Sequence, residues 1–485
     1  MFGVLLGLTR APWRAMRWCG RKWRWVAGFL VVLIVAHATA ALITGHMVAR
    51  EIQLIKQRGE PVNMADLSGP KIPNYQNAAP LYLEALRMLP ADKELGQIIM
   101  GARPPQPGVP PPATGAETAE RLLSRHTALF NLVEQAAARP ACRFPGDWDK
   151  DFDRLFRNVW RTRRLADMLR SRALLQARRA DSHGAFNSLA LVLKIADHVG
   201  SEPARAAEFT RLATTAGAAR ALPLVMSLAP PSREDCERMD ALLSGIRLVP
   251  SAVRAMQCTR CRAIVFFDHV RSSPGQFRVR VLQGDLGYRV SFLDLWKRKP
   301  GWARRIGARL ILWAWAPLLN MDELTCLRIA GQAIRIAGQP YRDAKSALNA
   351  SDNMIAQWRW YALGTRAIQP GAGRFVILRE LSAAHIGLAQ WALALRVYQI
   401  EKGSYPDSLD QVRKAVGWRL PEDPFSGKDF IYRRDGQGYV LYSIGPDLKD
   451  DGGMDPLVWE RTPLSKRPRQ PGYGGWADEV LRMAR

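Results

Sequence analysis

Residues Trp25 to Thr44 read WVAGFLVVLIVAHATAALIT, a run without a formal charge. A helix rises ~1.5 Å per residue, so a run of this length matches the ~30 Å hydrocarbon layer of a bilayer. Backbone groups in lipid must be satisfied internally, which predicts a helix here. His37 is its one strongly polar side chain. No second ionisable group shares the span, so His37 reads as a neutral imidazole among small alanines rather than a proton relay.

The flanks set an orientation. Arg10, Arg14, Arg17, Arg21, Lys22 and Arg24 precede the span with no acid among them, whereas Arg50, Glu51, Lys56 and Arg58 follow it. Positive charge stays on the cytoplasmic side, so the N-terminus is expected there and the rest of the chain outside the inner membrane. The alternative is a cleaved signal peptide, for which Ala36-His37-Ala38 and Ala38-Thr39-Ala40 offer small-x-small sites. The apolar run is longer than the ~7–15 residues of a signal-peptide core, which favours an uncleaved signal anchor.

Seventy Lys and Arg against 44 Asp and Glu give a formal charge of +26, of which +20 follows the span. A basic exported surface is drawn to anionic headgroups or acidic polymers. The arginines are dispersed and accompany no nucleic-acid-binding motif, so no nucleic acid is expected as a partner. At 485 residues the chain is too long for one ordinary core. Six cysteines exclude a disulfide-stapled scaffold.

After the span, Glu51 to Arg58 continues as a helical stalk that Gly59-Glu60-Pro61 breaks. A short helix is expected over 78–88, and the proline-rich stretch 101–115 as a semi-rigid linker. From Glu117 to about Leu248 the apolar period is helical. Leu165 to Pro203 reads as helix, turn at Ser182–Gly184 and second helix, with Ala196 at the contact. That spacing looks like one tetratricopeptide-type hairpin, without a clean second copy; such arrays need about three units. A plain helical bundle is the favoured reading.

Cys258-x-x-Cys261 falls inside a helical segment, which suits buried thiols better than a redox or zinc site. The run LILWAWAPLL, between Arg309 and Asn320, is too short to span a membrane. It reads as a buried helix or, with its tryptophans and the preceding Arg304, Arg305 and Arg309, as an interfacial one. The seven histidines (His37, His46, His126, His183, His198, His269 and His385) form no metal-binding pair, and no nucleophile elbow or phosphate loop occurs. No enzymatic role is expected.

Residues 373–455 change character. A long helix from Gly373 to Lys402 ends at Gly403, and Tyr-Pro-Asp-Ser-Leu-Asp-Gln-Val follows as a turn and short helix. Phe430–Arg433 and Tyr439–Ile444 are short β-rich runs joined by Asp435-Gly436-Gln437-Gly438, a hairpin signal. Ala394-Leu395-Arg396-x-Tyr398, Gly403-Ser404-Tyr405-Pro406, Asp423-Pro424-Phe425-Ser426-Gly427-Lys428 and Tyr442-Ser443-x-Gly445-x-Asp447 stand in the order found in one family. Over about 75 of 485 residues the chain resembles the C-terminal half of the major pseudopilin (G-type) of type II secretion systems. In that family the helix's N-terminal half is the membrane anchor. Here the helix begins only at Gly373, far beyond a span that ends at Thr44, and the family's Gly-Phe-Thr-Leu-Ile-Glu processing motif is missing. The whole chain resembles larger bacterial envelope proteins that carry such a module.

Asp447, Asp450, Asp451 and Asp455 crowd nine residues around Gly452-Gly453. Crowded carboxylates repel unless solvated or neutralised, and calcium takes roughly six to eight oxygens from such a flexible loop. The resemblance implies calcium in the corresponding loop; the bare residues read equally as a solvated acidic turn.

The expectation is therefore a mainly α chain: an N-terminal transmembrane helix, an exported helical bundle with or without tetratricopeptide-like hairpins, and a C-terminal α+β pseudopilin-like module. Its segments are 1–24 cytoplasmic and basic, 25–44 transmembrane, 45–116 stalk and proline-rich linker, 117–372 helical domain, 373–460 module, and 461–485 basic tail with a short terminal helix. The expected function is a non-catalytic binding or assembly role at the inner membrane, with envelope or secretion-system proteins as partners. The alternative is an envelope enzyme or a cell-wall polymer binder that uses the basic helical domain.

Overall fold

The computed structural model describes residues 10–70, 72–103, 115–146, 152–272, 277–284, 287–294, 302–356, 361–368, 371–450, 452–453 and 479–483. The chain is mainly helical and divides into two compact units. One comprises Met1–Val62, Ala263–Arg328 and Trp358–Gln369, the other Asn63–Arg262, Ile329–Gln357 and Pro370–Arg485.

The first unit is built on α1 (Arg10–Gln57), 48 residues long. From Trp25 it is long and apolar enough to cross a membrane. It ends where expected: the Gly59 amide bonds the Lys56 carbonyl at 2.9 Å, with Gly59 at φ +69°.

The second unit begins with α2 (Met64–Ser68), α3 (Ala79–Arg87) and α4 (Asp92–Ala102). These do not form a stalk. Tyr82, Leu86 and Ile98 are buried in the main core. Tyr82 Oη donates to His198 Nδ1 at 2.9 Å, while His198 Nε2 donates to the Arg139 carbonyl at 3.1 Å. Of the proline-rich stretch, Gly101 and Ala102 finish α4, and 104–114 lie outside the described residues.

After α5 (Ala116–Ser124) and α6 (Thr127–Ala137) come three long helices packed on one another: α7 (Phe152–Arg178), α8 (Ser182–Gly200) and α9 (Arg205–Leu228). The turn between α7 and α8 falls at 179–181, not at Ser182–Gly184. Asp181 is the N-cap and its carboxylate accepts from the Gly184 amide at 2.8 Å, so Ser182 already belongs to the helix. A Cβ on Gly184 would overlap that carboxylate.

Two further helices, α10 (Arg233–Ser244) and α11 (Leu248–Ser272), precede an unexpected hairpin inside the segment read as helical. Strands β1 (Phe277–Gly284) and β2 (Gly287–Asp294) pair antiparallel from Phe277↔Asp294 to Gly284↔Gly287. The sequences FRVRVLQG and GYRVSFLD carry the strand alternation of apolar and polar residues. Then follow α12 (Trp302–Ala337), α13 (Tyr341–Ala356), α14 (Leu363–Ile368), α15 (Gly373–Lys402) and α16 (Leu409–Val416).

The chain enters the second unit at Pro370, just before Gly373, and from there shares that unit with Asn63–Arg262 and Ile329–Gln357. Helix α15 packs on α9 and α10 in the same unit. Phe375 meets Phe209 edge to face at 5.1 Å, and Ser382 Oγ donates to the Leu212 carbonyl at 3.2 Å. Gln390 Nε2 donates to Asp240 at 2.7 Å and to Ser244 at 2.8 Å. A helix apolar on every side has to be surrounded, and one small sheet covers only one side of it.

That sheet has the order β3-β4-β5. Strands β3 (Ile431–Asp435) and β4 (Gly438–Ser443) form the expected hairpin, with Ile431 opposite Tyr442 and Asp435 opposite Gly438. The third strand is β5 (Glu479–Met483), where a short terminal helix was expected. It pairs antiparallel with the other edge of β4, Tyr439 opposite Met483. Flanked on both edges, β4 is buried along its whole length.

Candidate functional site

In the first unit α1 acquires a partner. His37 Nε2 donates to the Trp313 carbonyl at 2.7 Å, and the two rings lie 4.3 Å apart. Asn320 Nδ2 donates to the Ala41 carbonyl at 3.2 Å and to Thr44 Oγ1 at 3.1 Å. Val48 and Ile52 then pack with Leu324 and Leu327, and Glu51 stands 3.9 Å from Arg328. The pairs His37–Trp313 and Thr44–Asn320 share a separation of 276 residues, so α1 and α12 run parallel and in register. Positions 37, 41, 44, 48 and 51 advance by alternate fours and threes, the stripe of a two-helix seam.

Pro317 lies inside α12. Proline has no N–H, so the carbonyl four residues before it, that of Trp313, loses its helical donor. His37 supplies the missing one. The imidazole that the sequence leaves as a tolerated polar residue thus fills a backbone vacancy on another helix. The heptad stripe and the proline were the available signals; the long separation hid their pairing.

Just beyond Thr44 the seam becomes polar. Arg271 Nη2 donates to Asn320 Oδ1 at 3.0 Å and also bonds Glu323, whose side chain is fully buried. The second Glu323 oxygen has no partner among the described residues. Burial pushes the Glu323 carboxyl above its ordinary range, against the pull of Arg271. Neighbouring Asp322 caps α14 across the unit: it accepts from the Gly364 and Thr365 amides at 2.7 and 3.0 Å and from Thr365 Oγ1 at 2.6 Å. Burial raises its pKa as well, with Thr365 opposing.

The acidic loop lies in the second unit. Asp447 Oδ1 accepts from the Lys449 amide at 3.2 Å. Asp450 Oδ1 accepts from the Gly452 amide at 2.8 Å and from Tyr442 Oη at 3.0 Å. Asp451 and Asp455 lie outside the described residues. The loop's carbonyls are engaged by α13: Lys345 Nζ donates to those of Asp447 and Pro446 at 3.2 and 3.5 Å, and Tyr341 Oη to Pro446 at 2.8 Å. Among the described residues, no three His, Cys, Asp or Glu side chains are grouped so as to hold a metal ion.

The residues behind the pseudopilin resemblance interlock. Asp423, almost fully buried, accepts from Ser443 Oγ at 2.7 Å, from the Phe425 amide at 3.2 Å and from the Ile444 amide at 3.4 Å. It ties the Asp423–Lys428 turn to the end of β4. Trp391 Nε1 donates to the Pro421 carbonyl at 2.9 Å and ties the stretch just before that turn to α15.

The five described cysteines are buried, and no disulfide joins them. Cys258 Sγ donates to the Pro203 carbonyl at 2.8 Å, in the middle of α11. Burial pushes the Cys236 thiol up to about 12, and those of Cys142 and Cys326 further. His126 and His183, outside the seam, serve local contacts. His126 meets Glu94 at 3.1 Å and His183 meets Asp235 at 2.9 Å. Burial beside Arg220 lowers His385 to about 3.

Compared with family models, curated proteins and solved structures, the chain matches none.

Proposed function

We propose that the chain is a single-pass inner-membrane protein with a cytoplasmic N-terminus. Its exported helical unit has a binding or assembly role rather than a catalytic one. The observation that carries this reading is α1, whose large apolar side chains from Trp25 to Ile43 are exposed around the helix. So long a bare apolar surface is stable in lipid and not in water. The basic flank before it supports a cytoplasmic N-terminus.

The interlocked Asp423–Lys428 turn and β4 support the reading of the C-terminal part as a pseudopilin-like element, with envelope or secretion-system proteins as partners. Calcium at Asp447, Asp450, Asp451 and Asp455 belongs to the same proposal, and Lys345 is the cation with which it would compete. The alternative, a polymer-binding or enzymatic surface on the basic helices, would use the cleft of about 500 Å³ lined by Glu120, Arg172 and Arg179. There Arg179 is paired with Glu120, and Arg172 with Glu134 at 3.2 Å, so those charges are already met within the chain.

The test is a reporter active only outside the cytoplasm, fused after Arg485. Activity is expected at full chain length by gel. A silent reporter alongside an active cytoplasmic one at the same position would refute the orientation, and a mature chain found to begin at Thr39 or Ala41 would show a cleaved leader instead.

A further inference from the structure

We infer that the first half of α12, Ile306 to Leu319, is a second membrane-embedded element, seated in lipid beside the anchor. The inference rests on the reading that α1 crosses the membrane. It goes beyond that reading because the sequence of α12 alone reads as a buried or an in-plane helix. The buried reading fails: Ile306 is 51 % exposed, Leu310 62 %, Ile311 69 % and Trp313 49 %.

The in-plane reading fails on register. A helix lying flat at the interface crosses an upright anchor once. Here the contacts at His37–Trp313 and at Thr44–Asn320 lie seven residues apart on both helices. The two helices therefore ascend together. If Trp25–Thr44 spans the hydrocarbon, Trp313 lies within it, bonded to His37. Continuing the offset of 276 residues puts Leu310 and Ile311 level with Ile34 and Val35.

The backbone chemistry agrees. In water, solvent would serve the carbonyl that Pro317 orphans. In lipid a neighbouring helix has to supply the donor, and His37 does so. By the same offset Arg304, Arg305 and Arg309 stand level with Gly28, Phe29 and Leu33, within the Trp25–Thr44 run, and not with the basic flank at Arg21, Lys22 and Arg24. Arg309, exposed and near the level of Leu33, has a long stem along which its guanidinium can be carried toward the headgroups. The occupant of the exposed face is therefore the acyl chains, continuous with those around α1.

The test uses the full chain with Cys19→Ser, reconstituted in phosphatidylethanolamine–phosphatidylglycerol vesicles. Single cysteines placed at Val35, Ile311 and Lys93 carry a nitroxide. Oxygen, which partitions into lipid, and a water-soluble nickel chelate are compared as collision partners. The label at Ile311→Cys should match Val35→Cys, meeting oxygen several-fold more than nickel, while Lys93→Cys shows the reverse. Nickel access at Ile311→Cys with Val35→Cys still in lipid would overturn this inference and leave the anchor standing. Nickel access at Val35→Cys would overturn both. Shielding of Ile311→Cys from both reagents would mean that protein covers the face, and would overturn the lipid assignment.

Discussion

Replacing His37 by Leu tests the seam where it is least replaceable. Leucine fills a comparable space but leaves the Trp313 carbonyl with no donor, because Pro317 has none to offer. An unmet carbonyl costs about 1–2 kcal/mol in a dry environment, at the upper end of measured interhelical bonds in membranes. The lost ring contact with Trp313, at 4.3 Å, adds about 0.5 kcal/mol. Pro317→Ala restores an N–H to the same carbonyl, so His37→Leu in that background should lose only the ring contact. The coupling between the two substitutions is then about 1 kcal/mol. Glu51→Cys with Arg328→Cys reports the pairing, since these side chains already approach to 3.9 Å. Their disulfide is equilibrated against glutathione in bicelles. His37→Leu should lower the equilibrium constant roughly tenfold in the native background and about twofold with Pro317→Ala. Equal effects in both backgrounds would refute the argument that His37 serves the proline-orphaned carbonyl.

Other perturbations read the second unit. Asp423→Ala should weaken the β3–β4 region by about 3 kcal/mol and Asp423→Asn by about 1, because Asn keeps an acceptor for Ser443; hydrogen exchange over residues 421–446 measures both. Gly184→Ala should cost about 1–2 kcal/mol in urea denaturation by displacing the Asp181 cap. Burial raises the Glu208 pKa above its ordinary 4.5, so its favourable contribution is complete below that pH and is lost as pH rises through the folded value. Wild type should therefore lose stability relative to Glu208→Gln as pH rises from about 4.5 and hold a constant difference below it, as a pH series of urea denaturations would show. Calcium should raise the melting temperature of the full chain over a chelator control, more so in Lys345→Ala, and Asp447→Ala should abolish the rise; flat melts in all three would return the loop to a solvated turn.

What the sequence disclosed depended on how local each signal was. The apolar helix through Trp25–Thr44, its end before Gly59 and the β3–β4 hairpin are written in consecutive residues; the structure is helical throughout that run and has the hairpin strands within two residues of their expected ends. Strand β5 is not so written. EVLRM becomes a strand because β4 offers it an open edge, and β4 has already ended at Ser443 when β5 begins at Glu479. The packing of α15 among other helices was legible in principle. GRFVILRELSAAHIGLAQWALALRVYQIEK is apolar around its whole circumference, the pattern of a helix enclosed by others. The hairpin β1–β2 alternates plainly, but it sits inside a stretch whose helical period dominates any longer window. At the acidic loop Lys345 of α13, far upstream of Asp447, donates to the backbone carbonyls of Pro446 and Asp447, a contact that no local pattern could announce.

The register between α1 and α12 also has a clock in it. The two halves of the seam are separated by 276 residues of synthesis. At ~5–20 residues per second, α12 emerges roughly 15 to 55 s after α1. For that interval the newborn α1 has to wait with the faces of His37, Ala41 and Thr44 uncovered, the same groups that later receive Trp313 and Asn320. The seam is thus closed by the second half of the chain. A nascent chain stalled before residue 302 would hold α1 with its polar stripe still open to any neighbouring helix.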